Sequence, residues 1–224
     1  MSHFEPMDRS SLYHGVHAKL SRALTDGALK PDDKLRIRAL ADQLGISVTP
    51  VRDAILRLVE AHALEWRGPK DIRVPRMTLR QLNEVRLIRL RLEGLAARMA
   101  AEASDPNVIR ALRKLIAENE EARSSSHVAA AVRFNREFHF TICEASGLPV
   151  LRAMIESLWL RMGPLIASVY EDGGEAMISS HYDIVQAIEE ANGDAAESAI
   201  QKDINAAVRY FRKAGVLASE PLSA

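Results

Sequence analysis

The stretch Leu35–Leu58, LRIRALADQLGISVTPVRDAILRL, constrains this chain more than any other. Leu40, Leu44, Ile46, Val51, Ile55 and Leu58 are apolar and the residues between them mostly polar. Two helical periods therefore meet at Gly45, the residue that takes a positive φ without steric cost. A short helix over 37–44, a glycine turn and a second helix over 49–61 make a helix-turn-helix. In a nucleic-acid reader of that form, the N-terminal residues of the second helix enter the major groove. Here they are Ser47, Val48, Thr49 and Arg52: two hydroxyls, one apolar contact and one bidentate donor. Ser47 is placed to cap the helix, and Pro50 in its first turn removes an N–H that has no intrahelical partner. The same spacing also suits a plain helical hairpin within a bundle.

Upstream, residues 1–9 read as a loose arm. Leu12, Val16, Leu20, Ala23 and Leu24 then give an amphipathic helix from Ser10 to about Asp26, stopped by Gly27. LKPDDKL, residues 29–35, reads as a turn. After the helix-turn-helix, two extended pieces (64–67 and 72–74) flank Gly68-Pro69 and suggest a β-wing carrying Arg67, Lys70 and Arg73. Residues 10–75 thus read as a winged helix, although those cations also fit an ordinary solvated hairpin.

Residues 76–78 read as a linker, beyond which the helical period dominates. Helices are expected over 79–103, over 106–123 (Asp105 as cap, Pro106 at the first position), over 127–145 and from 149 to about 170. Gly163-Pro164 should kink the last of these, and Asp172-Gly173-Gly174 reads as a loop. Two more follow, over 175–191 and from the cap Asp194 to about 213. With only 5% aromatic residues, the composition also favours helix over sheet. The expected fold is mainly α: a winged helix-turn-helix followed, over 79–214, by an antiparallel bundle of about six helices, with 215–224 a frayed tail.

The formal net charge is zero, so the whole-chain field does not argue for nucleic acid. Residues 34–73 hold eight basic and five acidic side chains, a modest local excess compatible with phosphate contact. The single cysteine, Cys143, excludes an intrachain disulfide framework and suits a reducing cytosol; its helical setting reads as an inert buried thiol. The N-terminus lacks the apolar core of a signal peptide, and no run approaches a membrane span, so a cytoplasmic location without membrane contact is expected.

Asn135 and His139 are four apart and share one helical face with Phe138 and Ile142 close by. His181 opens the apolar side of the next-to-last helix, and Asp203 sits at core-facing spacing between Ile200 and Ala207. Two imidazoles, a carboxylate and an amide oxygen from three helices suit a divalent metal such as Zn²⁺, Ni²⁺, Mn²⁺ or Fe²⁺. A metal-free His–Asp pair in the core fits the same spacing. Arg89, one turn before Glu93 and near the apolar face, is placed to clamp a carboxylate.

The run Leu40-Ala41-x-x-Leu44-Gly45-Ile46-Ser47-x-Thr49-Pro50-Val51-Arg52-x-Ala54 resembles the reader head of the GntR superfamily of bacterial transcription regulators. The second half resembles its FCD subgroup, the FadR-like helical bundles. The marks are Arg89-x-x-Leu92-Glu93 with Ala96-Ala97, Asn135 before Phe138-His139, Ala145-Ser146-Gly147, His181-x-x-Ile184-x-x-Ala187-Ile188 and Gly193-Asp194-x-Ala196. The resemblance implies a homodimeric regulator, a repressor or activator, that binds a palindromic double-stranded DNA operator. It implies DNA contacts from Arg38, Ser47, Thr49, Arg52 and the wing tip, and a metal held by Asn135, His139, His181 and Asp203. That metal would hold a small organic acid effector, with Arg89 nearby. Asp203 stands where the family usually has a third His, which shifts the expectation toward Mn²⁺, Fe²⁺ or Ni²⁺. Val48 replaces a frequent Arg, and His62 and Asp71 stand at positions usually held by Gly.

Three functions compete at this level. The first is a repressor in which an acid bound at the metal shifts the spacing of two reader heads. The second is an Fe²⁺ or Mn²⁺ enzyme using a two-His-one-carboxylate site, for which no acid/base pair, phosphate loop or activated nucleophile is found. The third is a metal-free regulator whose polar cluster is structural.

Overall fold

A computed structural model describes residues 9–68, 70–173, 178–213 and 215–219. The first unit contains α1 (Arg9–Thr25), β1 (Lys34–Leu35), α2 (Ile37–Leu44), α3 (Val48–Glu60), β2 (Glu65–Gly68) and β3 (Asp71–Arg73). Gly45 closes α2 in the left-handed region (φ 65°, ψ 31°), and its N–H, with that of Ile46, bonds back to the carbonyls of Asp42 and Ala41. That turn aims α3 away from α2. Val51, Ala54, Ile55 and Leu58 of α3 are fully buried with Leu20 and Leu24 of α1, Leu35 and Ile72. Each large apolar side chain so buried contributes about 1.5–3 kcal/mol, which decides the face of α3 left outside.

The stretch expected to be only a turn, 29–35, in fact ends in a strand. β1 pairs antiparallel with β3 (Lys34 opposite Arg73, Leu35 opposite Ile72), giving a three-stranded sheet of order β1-β3-β2. A two-residue strand carries no periodicity to read. The β2–β3 hairpin has an irregular register between Trp66 and Gly68, and Pro69 of the expected wing turn lies outside the described residues. His62 takes φ 55°, the left-handed conformation that glycine adopts without steric cost.

The bundle comprises α4 (Leu79–Ala103), α5 (Pro106–Ser124), α6 (Val128–Ala145), α7 (Pro149–Gly173), α8 (Ser179–Glu189) and α9 (Gly193–Lys213). Thr78 and Gln81 form a reciprocal capping box at the start of α4, and Asp105 caps α5 by accepting from the Asn107 N–H. α4 lies along α9, α5 along α6 and α8 along α9. Helix α7 passes through Gly163-Pro164 and ends at Gly173, so residues 172 and 173 belong to the helix and not to a loop. The expected helical residues 175–177 and the arm residues 1–8 lie outside the described residues. Part of the expected frayed tail is docked: the Ala218 N–H donates to the Met77 carbonyl, and Arg76 donates to the Gly215 carbonyl.

The two units meet where α1 crosses α7. Leu160 of α7 joins the core of the first unit. Gly163 lies so close that a Cβ there would stand 2.4 Å from the Leu24 carbonyl oxygen and 2.6 Å from the Thr25 Cα. Gly27, at φ 69°, would carry a Cβ 2.0 Å from that of Ala167. Arg136 of α6 reaches Asp26 at 2.6 Å across the same seam. Because the obstructing atoms at Gly163 are backbone, Gly163→Ala should cost about 1–3 kcal/mol by overpacking. A lower urea midpoint of the full chain, with unchanged helical circular dichroism before unfolding, is the expected result.

Candidate DNA-reading surface and metal centre

α3 buries one stripe and leaves its first turn outside. Ser47, Val48, Thr49 and Arg52 are all exposed there, as are Arg38 on α2 and Lys70 at the wing. Among the described residues no hydrogen bond or ion pair occupies the side chain of Arg38, Ser47, Thr49, Arg52 or Lys70. Ser47 does occupy the N-cap position, but its hydroxyl makes no cap hydrogen bond, contrary to expectation. With ψ at 160° the backbone is in cap geometry while the hydroxyl stays available.

In the wing, Asp71 pairs with Lys34 at 3.2 Å and with Arg73 at 3.0 Å. The hydrogen bond from Lys34 leads in holding this carboxyl below its ordinary range, with Arg73 adding to it. The acid, beside the hairpin turn, is thus paired by a cation from β1, and Arg67 is engaged by Glu65 at 2.8 Å.

The buried polar residues of the bundle converge. Metal-competent atoms of His139 (α6), His181 (α8) and Asp203 (α9) all lie within 4.8 Å of one another. Asn135, one turn before His139, lines the same small cavity with Arg89, Trp159 and Asp203. His139 Nδ1 meets Glu93 Oε2 at 2.9 Å, which orients Nε2 toward Asp203 Oδ2 at 3.4 Å. His181 stacks on Phe138 (centroids 4.0 Å apart, 10° between planes), and its Nε2 faces Asp203 Oδ1 at 3.7 Å. That distance is too long for a hydrogen bond, and among the described residues the buried His181 Nε2 has no hydrogen-bond partner. An orphaned imidazole nitrogen facing a carboxylate and a second imidazole fits a divalent cation in chemistry and spacing. The cavity, lined by His139 and Asp203 but not by His181, is about 10 Å³, room for something no larger than a water molecule or an ion.

Arg89 also lies inside, but the carboxylate it meets is that of Glu93, at 2.5 Å. Its guanidinium stands 4.9 Å from the centre of the Trp159 ring, and the Trp159 indole N–H donates to the same Glu93 oxygen at 3.2 Å. Sequence reasoning missed the roles of Glu93 and Trp159. The i,i+4 spacing from Arg89 to Glu93 was a signal for the first; nothing in the pattern marked the second. Cys143 is buried, and burial pushes its thiol well above the ordinary range, as an inert core cysteine requires.

A family profile described as "Bacterial regulatory proteins, gntR family" matches residues 12–74, and one described as "FCD domain" matches residues 84–206. The chain is 38% identical over 175 residues to the HTH-type transcriptional regulator McbR of Escherichia coli K12, covering 78% of this chain and 79% of that one. It is 28% identical over 204 residues to a probable D-xylose utilization operon transcriptional repressor of Paenarthrobacter nicotinovorans, covering 89% and 88%. Among solved structures, E. coli McbR/YncC superposes with a TM-score of 0.84 at 31% identity, over 90% of this chain and 97% of that one.

The buried groups predict a pH signature for the metal-free protein. Burial alone would depress His139, but hydrogen bonds to Asp203 and Glu93 outweigh it and raise its pKa to about 9. Burial lowers His181 to about 4 despite Asp203 opposite. Burial would raise Glu93, yet the charge of Arg89 and the bond from His139 hold it at about 2. His139 therefore contributes stability that is complete below its unfolded value and lost as pH rises from about 6.5 to 9. His181 favours the fold above about 6.5 and loses that contribution as pH falls toward 4, where the protonation of unfolded carboxylates adds to the loss. Chemical denaturation across pH should show a maximum near 6.5, and His139→Gln should remove the alkaline limb.

Proposed function

Because the chain belongs to the gntR family of bacterial regulatory proteins and carries its FCD domain, we propose that this transcriptional regulator is a homodimeric repressor of a palindromic operator. The observation that carries the DNA-binding surface is the first turn of α3, where Ser47, Val48, Thr49 and Arg52 stand exposed, their polar side chains without partners among the described residues. Arg38 and Lys70 flank it as phosphate contacts. Dimerisation through α4 is supported by Leu87, Ile88 and Leu95, large apolar side chains exposed on one helix. The relatives are regulators and not enzymes.

His139, His181 and Asp203, with Asn135 beside them, would hold a divalent cation. Bound there, the cation would neutralise Asp203 and cross-link three helices. A small organic acid is the effector of this reading. To reach that centre it has to open a cavity of about 10 Å³ and share Arg89 with Glu93, so it acts by selecting a loosened bundle.

Two experiments test this. Selection of genomic fragments at physiological salt should recover one short inverted repeat, and Arg52→Ala should weaken its binding by about 1–3 kcal/mol. Unrelated fragments whose affinity collapses as salt rises would refute the operator reading. Elemental analysis after purification without chelators should find about one divalent metal per chain, lost in His181→Ala together with several degrees of melting temperature. Metal-free wild type with the melting point of the variant would leave the cluster structural.

A further inference from the structure

A second, much larger space lies outside the bundle core, in the crease where α1 and α3 face α6 and α7. It measures about 660 Å³, within the ordinary range for small-molecule sites. Four guanidinium groups line it: Arg22 and Arg57 from the first unit, Arg136 and Arg152 from the bundle, against the carboxylates Glu60 and Glu156. Among the described residues no carboxylate pairs with Arg22 or Arg57; Arg57 lies over the Tyr13 ring, at 5.6 Å from its centre. Arg136 gives Nε to Asp26 and Nη2 to Glu137, and Arg152 gives Nε to Glu144 and Nη1 to Glu156. Each therefore keeps one nitrogen uncommitted. Between these two, Phe140 presents its ring, with Arg136 at 5.9 Å and Arg152 at 5.6 Å from its centre.

We propose that this crease is a second ligand site, for a small organic anion with two or three carboxylates, which bridges the reader unit and the bundle. Guanidinium forks on opposite walls match carboxylates at opposite ends of one molecule, while Phe140 and Leu160 cover its carbon skeleton. Arg22 and Arg57 on one wall and the uncommitted nitrogens of Arg136 and Arg152 on the other can each take a carboxylate, so a bridging polyanion favours the orientation that brings the walls together. The bundle cavity has no room for such a molecule. The regulatory consequence rests on the proposed repressor reading; the binding itself does not.

Citrate is the probe, titrated calorimetrically at physiological salt into full-length protein freed of metal, so that its chelation of a cation contributes nothing. Saturable binding is expected, weakened at least tenfold in Arg22→Ala, tightened a few-fold in Glu156→Gln and unchanged in His181→Ala. Arg22 is exposed and its loss leaves no buried partner behind. No saturable binding, or binding that follows His181 and ignores Arg22, overturns the proposal. So does a loss of operator affinity in Arg22→Ala without citrate, which would make the crease a DNA-phosphate contact. Failure of the wild type to select an operator at all would refute the repressor reading while leaving the citrate result to stand alone.

Discussion

The carboxylate of Glu93 is the constraint on which the bundle interior depends. It is fully buried, and an uncompensated charge there would cost several kcal/mol. Three donors from three helices meet it: Arg89 of its own helix, His139 of α6 and Trp159 of α7. Each is oriented by the demand. His139 has to turn Nδ1 toward Glu93, which leaves Nε2 for the centre, and Trp159 has to hold its indole inward. The cluster is thus assembled from the outside in, and the ligand atoms of His139, His181 and Asp203 face one another because of it.

Helix α7 carries that arrangement toward the reader unit. Trp159 looks into the Glu93 cluster; the very next residue, Leu160, is part of the core behind α3. One and two turns on, Gly163 meets Leu24 and Thr25 of the first unit and Ala167 meets Gly27, at backbone distance. Contacts that close do not deform gradually. Trp159, Leu160 and the surface that receives α1 are thus carried on one helix, and the crease beside it lies between the same elements.

Much of this was legible in the sequence. The helix-turn-helix was visible because Gly45 interrupts one helical period and Pro50 opens another, and the bundle because apolar residues recur at three and four. Asn135, His139, His181 and Asp203 were found as polar residues on apolar faces. Strand β1 was not, since two residues show no alternation. The cap at Ser47 was misread because the cap position is set by backbone dihedrals, which a free hydroxyl also satisfies. The end of α7 was misjudged because Asp172-Gly173 resembles a loop whenever packing is ignored.

By itself the sequence determined the class of fold, the exposed first turn of α3 and the candidate ligands, since these follow from local periodicity and from residue types at fixed spacing. Only the tertiary structure decided what each buried polar group meets. Arg89 was read as a clamp for an arriving acid, and it holds Glu93; Trp159, which no pattern marked, is a donor to that carboxylate. The glycine seam between α1 and α7 and the cationic crease beside it join residues more than a hundred positions apart. Such meetings depend on how helices cross, and no local pattern encodes a crossing.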